Sequence, residues 1–488
     1  MEKWVTLRVN FGLPITPLLQ FSNSPTLRFQ EKPMLDHRQK IIGEDAALFE
    51  HIWKTGKNFY ITVSILGALV LWGIYAYVTQ YRIGLGVTGL SRQIFWGVYI
   101  TNFVFFIGIS HAGTFISAVL RVVKAEWRRP ISRLSELTTV FILMFGVGSV
   151  LIDLGRADRM LNVIRYANFR SPLLWDICSI ATYLTVSSTC LYLALIPDIA
   201  LLRDIGGKRQ WFYRALSLGW TGTERQHHVL EKAIGAMSVL VIPVMITVHT
   251  VVSFVFAMTI QPMWHSAIFG PYFVVGAIFS GVASVIVIMV VLRKVYHLEN
   301  YIKPIHFNNI GVFLMAMTHL WFYFTSAEYV TIFYGNEPVH MEIFWMKLAG
   351  KFAPLFWLHI TLCFVIPLPI LAIRKLRTIR GTLIASVSII IGMWLERFVI
   401  IVPTLTNQRM PVEGAFYIPT WVEGSILAGC IALFMLLYTL FTKVFPIVPV
   451  WEVKEGREKA VTDIGNRIRS YLPDTHPDPS RQQDTSRY

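Results

Sequence analysis

Long apolar stretches recur along this chain, and each is long enough to cross a bilayer as a helix. They lie at roughly residues 58–79, 93–121, 132–154, 173–202, 231–259, 269–295, 308–334, 349–373, 377–402 and 421–444. Inside hydrocarbon a backbone must satisfy its own hydrogen bonds, which leaves only helices and closed barrels. The stretches are continuous rather than alternating, so a barrel is excluded. Only 15% of the 488 residues are charged and the mean hydropathy is +0.54. A soluble domain carries about 25% charged residues. The expected fold is an all-α polytopic membrane protein with about ten transmembrane helices.

The formal net charge of +15 reads as topology rather than nucleic-acid binding, because the basic residues gather in alternate loops. Arg121, Lys124, Arg128, Arg129 and Arg133 follow the second stretch. Arg203, Lys208, Arg209 and Arg214 follow the fourth. Arg293, Lys294 and Lys303 follow the sixth, and Arg374, Lys375, Arg377 and Arg380 the eighth. The loop at 261–270 has no Lys, Arg, Asp or Glu. Positive loops face the cytoplasm, so both termini are expected there, in a bacterial inner membrane. Gly97-Val98-Tyr99 to Val119-Leu120-Arg121 is echoed by Gly270-Pro271-Tyr272 to Val291-Leu292-Arg293. That faint repeat suggests two four-helix bundles, at 93–260 and 261–402, plus two flanking helices. The first flanking helix and its outer loop take 58–92, and the last helix with its preceding outer loop takes 403–444. The polar segments 1–57 and 445–488 are expected to be cytoplasmic, with disorder in the Pro- and Asp-rich end from Asp474. Residues 11–21, broken by Pro14 and Pro17, do not read as a cleavable signal.

Two aspartates sit where hydrocarbon makes charge costly. Asp153 closes one apolar stretch and Asp176 opens the next, with Arg156, Asp158, Arg159 and Arg170 between them. By the loop charges this cluster faces outward. His111 follows Asn102 and Ser110 in the second stretch, and His249 precedes Ser253 in the fifth. Histidines and carboxylates in one bundle suit proton-coupled electron transfer with a quinone, whose ring oxygens need partners that give and take protons. Arg156 is placed to hold an aspartate ionised. The structural alternatives are an Asp153–Arg156 ion pair tying off a helix end and histidines that only bridge helices. The second half holds His319, Glu328, His359, Glu396 and Arg397. They suit a proton path across the second bundle, or a Glu396–Arg397 pair that fixes packing. Cys178, Cys190, Cys363 and Cys430 form no CxxC pattern, so no iron–sulfur cluster or c-type haem is expected in this chain. His111, His249, His319 and His359 include no two on one helix at the spacing that stacks two haems, so haem b is not expected either.

The stretch from Trp96 through Ser110-His111-Ala112-Gly113-Thr114 resembles the NrfD/PsrC family of membrane subunits. So do Asp153-Leu154-Gly155-Arg156, Arg170-Ser171-Pro172-Leu173-Leu174-Trp175-Asp176, Ile196-Pro197-Asp198, Val248-His249-Thr250 and Trp394-Leu395-Glu396-Arg397-Phe398. The matches run in order from about residue 50 to 455 and look most like the quinol-oxidising subunit of alternative complex III. The resemblance implies a chain without redox cofactors of its own and not catalytic alone. It implies a quinone, often menaquinone, bound in the first bundle near the outer face. It implies an iron–sulfur subunit docked there, c-type cytochrome and other membrane subunits beyond, and bundles that conduct protons. Carried over by position, the quinone site is Asp153, Asp176 and His249, supported by His111, Arg156 and Ser253. The proton path is Glu328, His359, Glu396 and Arg397. Alternative complex III usually has histidine where this chain has Asp153. It also usually has a carboxylate in the run that reads Ser253-Phe254-Val255-Phe256-Ala257 here. The rival readings are a transporter or ion channel, and a structural anchor for an outer-face enzyme without quinone chemistry.

Overall fold

Helices that are apolar on nearly every side bury themselves in lipid or against one another. A computed structural model, which describes residues 48–49, 51–52, 55–206, 209–407 and 416–471, contains ten of them. They are α1 (Lys57–Ile83), α2 (Val98–Val122), α3 (Glu126–Asp153), α4 (Pro172–Ile205), α5 (Glu224–Ala257), α6 (Phe269–Val295), α7 (Pro304–Gly335), α8 (Ala353–Ala372), α9 (Ile379–Thr406) and α10 (Trp421–Phe441). Every expected stretch overlaps one of them. Local chemistry sets several starts. Pro172 and Pro304 open α4 and α7, where a missing N–H costs nothing. Thr223 with Gln226, and Thr420 with Glu423, form reciprocal caps on α5 and α10. Among the described residues there is no strand.

Helices α2 to α5 pack in a ring, and α6 to α9 form a second group. The two groups meet where α6 lies against α2 and α5 and α9 lies against α2. The central stretch of α2 is 83% buried and that of α6 is 72%, against 11% for α1 and 22% for α10. The chain's middle is therefore protein-facing and its first and last crossings are largely lipid-facing. α1 and α10 pair with each other at Gly73 and Gly429, where an added Cβ on Gly73 would stand 2.9 Å from the Gly429 backbone. Gly113 has a similar role in the first bundle: a Cβ there would overlap the Ser135 carbonyl oxygen, so only glycine lets α2 approach α3 this closely. Directly after it, α2 passes through a π-helical turn at Phe115–Val119.

The arginine-bearing turns after α2, α4, α6 and α8 all lie at one end of the helices, called here the basic face. At this face the polar segment from residue 445 is anchored to the bundle. Residues Val450–Tyr471 form a helix, α11. Asp198 of α4 accepts the backbone amides of Val450 at 3.1 Å and Trp451 at 3.3 Å, which caps the new helix. Arg133 of α3 reaches Asp198 at 2.6 Å and the carbonyl of Pro446 at 3.0 Å. Glu452 receives Arg121 at 2.7 Å and Arg128 at 3.1 Å. A helical start to a polar segment was hidden because its anchors are supplied by α2, α3 and α4. The end from Asp474, the segment 1–47 and the loop residues 408–415 lie outside the described residues.

Candidate functional site

His111 from α2 and His249 from α5 meet inside the first bundle with ring centroids 4.7 Å apart, both without solvent exposure. His111 Nδ1 lies 2.7 Å from the Ile107 carbonyl and Nε2 lies 2.8 Å from the Met245 carbonyl. A neutral imidazole donates from one nitrogen only, so one of these two contacts is unsatisfied unless the ring is a cation. Neither ring nitrogen of His249 has a hydrogen-bond partner among the described residues. Ser253 spends its proton on the Thr250 carbonyl at 2.6 Å, which leaves its oxygen free only to accept. An aromatic wall adjoins His249: Phe273 at 5.9 Å, then Phe256, Trp96 and Trp264 in successive ring contacts.

Residues assigned separately to two bundles turn out to be neighbours. The guanidinium of Arg397 sits 4.7 Å over the Phe273 ring, which also meets His249. Gly276 makes room for it, since a Cβ there would be 2.5 Å from an Arg397 nitrogen. Arg397 Nη1 is 3.4 Å from Glu396 Oε2, close enough for an ion pair. The angles do not make a hydrogen bond, and Nη1, Nη2 and Oε2 all stay without one. The other carboxylate oxygen of Glu396 accepts from Trp321 Nε1 at 2.7 Å and from the Tyr272 hydroxyl. Trp394 bridges the bundles as well, donating to Asn102 at 2.8 Å.

Glu396 also lines a cavity with Tyr272, Glu328, Tyr329, Lys347 and His359. Its free space of about 20 Å³ holds roughly one water molecule. Glu328 accepts from Ser266 at 2.8 Å, and His359 Nδ1 makes no well-formed hydrogen bond among the described residues. Lys347 was invisible in the sequence because it lies on a short helix, Pro338–Leu348, within an outer connection, yet it is only 3% exposed. Burial brings its ammonium down to about 8, against the opposing pull of Glu328. The native state therefore loses this proton at lower pH than the unfolded chain does. Stability should rise as pH climbs from about 8 toward the ordinary lysine value of 10.5. Thermal unfolding in detergent should display this rise, and Lys347→Met should remove it; the same slope in the variant would count against the assignment.

The aspartates stand apart from this group. Asp153 ends α3 beside α1 and α10, within electrostatic reach of Glu423. There Gln80 ties the Ile152 carbonyl, at 2.9 Å, to the Tyr99 hydroxyl, at 2.6 Å. Asp176 on α4 is 7% exposed. Each aspartate keeps one buried oxygen without a hydrogen-bond partner among the described residues. Arg156 is exposed, and among the described residues no ion pair joins it to Asp153. The expected pair fails because the chain turns at Gly155, at φ +63°, and carries Arg156 outward. Among the described residues no hydrogen bond or ion pair connects Asp153, Asp176 and His249 with one another. His319 is also exposed, with Nδ1 2.9 Å from its own helix at Met315, and so leaves the second-bundle set. Among the described residues, no group of three or more His, Cys, Asp or Glu side chains is arranged to hold a metal ion.

Residues 86–407 match the family described as polysulphide reductase, NrfD. The chain is 24% identical over 441 residues to the Hdr-like menaquinol oxidoreductase integral membrane subunit of Archaeoglobus fulgidus, covering 85% of this chain and 100% of that one. It is 23% identical over 412 residues to a selenate reductase subunit of Mesobacillus selenatarsenatis, covering 80% and 94%. A putative dimethyl sulfoxide reductase membrane subunit of Halobacterium salinarum is 25% identical over 233 residues, covering 48% of this chain and 51% of that one.

Proposed function

The chain belongs to the NrfD polysulphide reductase family, and on that premise we propose that it is the quinol-reactive membrane subunit of an oxidoreductase complex. The observation that carries this reading is the buried His111–His249 pair, with two unpartnered ring nitrogens beside an aromatic wall. Such a place suits a quinone headgroup: the rings pack on its plane and the imidazole meets an oxygen. The name of the Archaeoglobus relative supports a menaquinol as the substrate. Oxidation of one quinol releases two electrons and two protons. The electrons pass to an iron–sulfur cluster of a partner subunit docked on the face opposite the basic one, and onward to a terminal partner such as a c-type cytochrome. One proton passes to His249, and the other leaves toward the face opposite the basic one by way of Asp176 or Asp153, each of which keeps a buried oxygen without a partner among the described residues. The basic face is then cytoplasmic, in the inner membrane, by its excess of arginine and lysine.

His249, Arg397 and Glu396 form the link toward the Glu328–His359 cavity, and in this reading they open the proton path of the second bundle. The test is the assembled complex, isolated through a tag on this chain, with Asp176→Asn and His249→Ala made separately. Each should lower quinol-dependent cluster reduction by about 100-fold, the low end for a lost acid–base group. Unchanged turnover in both variants removes the site assignment, and a complex isolated without redox partners favours the transporter reading.

A further inference from the structure

The half of the first bundle nearer the basic face holds a second cavity of about 20 Å³. Thr114, Ser117, Glu136, Thr139, Ser187 and Ser238 line it, five hydroxyls around one carboxyl. Ser117 donates to Glu136 Oε1 at 2.6 Å. Glu136 Oε2 and the Ser187 hydroxyl are buried and have no hydrogen-bond partner among the described residues. Glu136 is 8% exposed and Ser187 is 4% exposed. A buried carboxyl with one donor and two free polar atoms beside it wants water and a proton. The π-helical turn Phe115–Val119 runs past this cavity and supplies Ser117, and such turns concentrate at functional sites.

The cavity has a neighbour at each end. Toward the basic face, the charges that face Glu136 are Arg121, Arg133 and Glu452. Arg121 and Glu452 are themselves paired, with Arg121 18% exposed. Toward the histidines, Thr114 shares a 2.6 Å hydrogen bond with the Tyr183 hydroxyl. The Tyr183 ring packs on His111 at 5.4 Å, and His111 packs on His249. Between Tyr183 and His111 the contact is ring packing, so a proton crosses there by a water or by rotation of the hydroxyl.

We propose that Glu136 is a proton-exchange residue that connects the His111–His249 pair to the basic face, by way of the hydroxyl-lined cavity, Thr114 and Tyr183. The inference rests on the quinol reading and adds a direction to it. Protons shed at the histidines reach the basic face through the first bundle itself, separately from the second-bundle path. Glu136 touches no substrate here; it acts by taking up and passing on a proton.

The experiment uses the assembled complex in liposomes with a trapped pH dye, in the fraction whose basic face points inward. Quinol added together with ferricyanide, a membrane-impermeant electron acceptor outside, should acidify the interior in the unaltered complex. Glu136→Gln should abolish that signal and slow turnover about tenfold, roughly 1.4 kcal/mol on the barrier, with KM for quinol unchanged. Tyr183→Phe keeps the ring packing and removes only the hydroxyl. It should weaken the same signal, which guards against a folding fault at position 136. Variants that acidify the interior and turn over like the unaltered complex overturn this inference alone. An unaltered complex with no quinol-dependent turnover overturns the quinol reading and this inference with it.

Discussion

Arg133→Ala is expected to destabilise the protein by about 3–5 kcal/mol, the cost of stripping one partner from a buried ion pair. Arg133 and Asp198 touch at 2.6 Å with side chains 0% and 2% exposed. The arginine also holds the carbonyls of Pro446 and Ala194, each at 3.0 Å. Removing it strands the Asp198 carboxylate against α11 and frees the segment before Val450. Thermal unfolding in detergent should show the loss, and limited proteolysis should cut earlier near residue 446. Asp198→Ala should be at least as harmful, because arginine cannot shed its charge. Exchanging both for apolar residues of similar volume should recover much of the stability, since a well-packed apolar pair avoids desolvation altogether. A single variant as stable as the parent would mean that the pair contributes nothing.

The second large effect is an asymmetry within the Glu396–Arg397 pair. Glu396→Leu leaves the Arg397 guanidinium, 2% exposed, with no counter-charge within 4 Å among the described residues and only the Phe273 face beneath it. That variant should lose about 3–5 kcal/mol. Arg397→Leu leaves Glu396 with Trp321 and Tyr272 as donors. The carboxyl therefore keeps hydrogen-bond donors, whereas the guanidinium in the other variant keeps no hydrogen-bond acceptor among the described residues. Arg397→Leu should therefore cost clearly less stability while still disturbing the His249 side of Phe273. Unfolding of the two variants at one pH measures the difference. Equal losses would show that the two residues act as one rigid packing unit, and the proposed path through them would lose its support.

The ten crossings were legible because each is a long run with one requirement, apolar surface on nearly every side. Hydrocarbon enforces that requirement locally, residue by residue. The starts at Pro172 and Pro304 were within a few residues of expectation for the same local reason, whereas α5 starts at Glu224, before the apolar run expected from 231, because its first two turns are polar. His111 and His249 were legible as oddities in apolar surroundings. Their mutual contact was not, since it depends on how α2 and α5 rotate against one another. Arg397 was readable as a buried charge, but its seat beside His249 needs α6 to present Gly276 and Phe273 on one face. Lys347 escaped because a lysine in a polar connection is ordinarily solvated, and only the tertiary fold carries that short helix inward. Glu136 escaped because its surroundings, five hydroxyls from four helices, are scattered from residue 114 to residue 238. The first turns of α11 escaped because their caps come from distant helices. The outward course of Arg156 was not legible, because proximity in sequence says nothing about the direction taken after Gly155.

The pairing of α1 with α10 has a consequence for how the chain is made. Trp72 donates to Ser425 across 353 positions of sequence, and the two backbones touch at Gly73 and Gly429. Of the ten described crossings, α1 thus waits for its mate until the other eight have been synthesised. During that interval it is held by the short link to α2 and by Gln80, which meets the Ile152 carbonyl of α3 and the Tyr99 hydroxyl of α2. Contacts this remote in sequence form slowly. The α1–α10 contact forms late, and a ribosome that stalls before residue 421 leaves the Gly73 face of α1 uncovered, an invitation to quality-control proteases of the membrane.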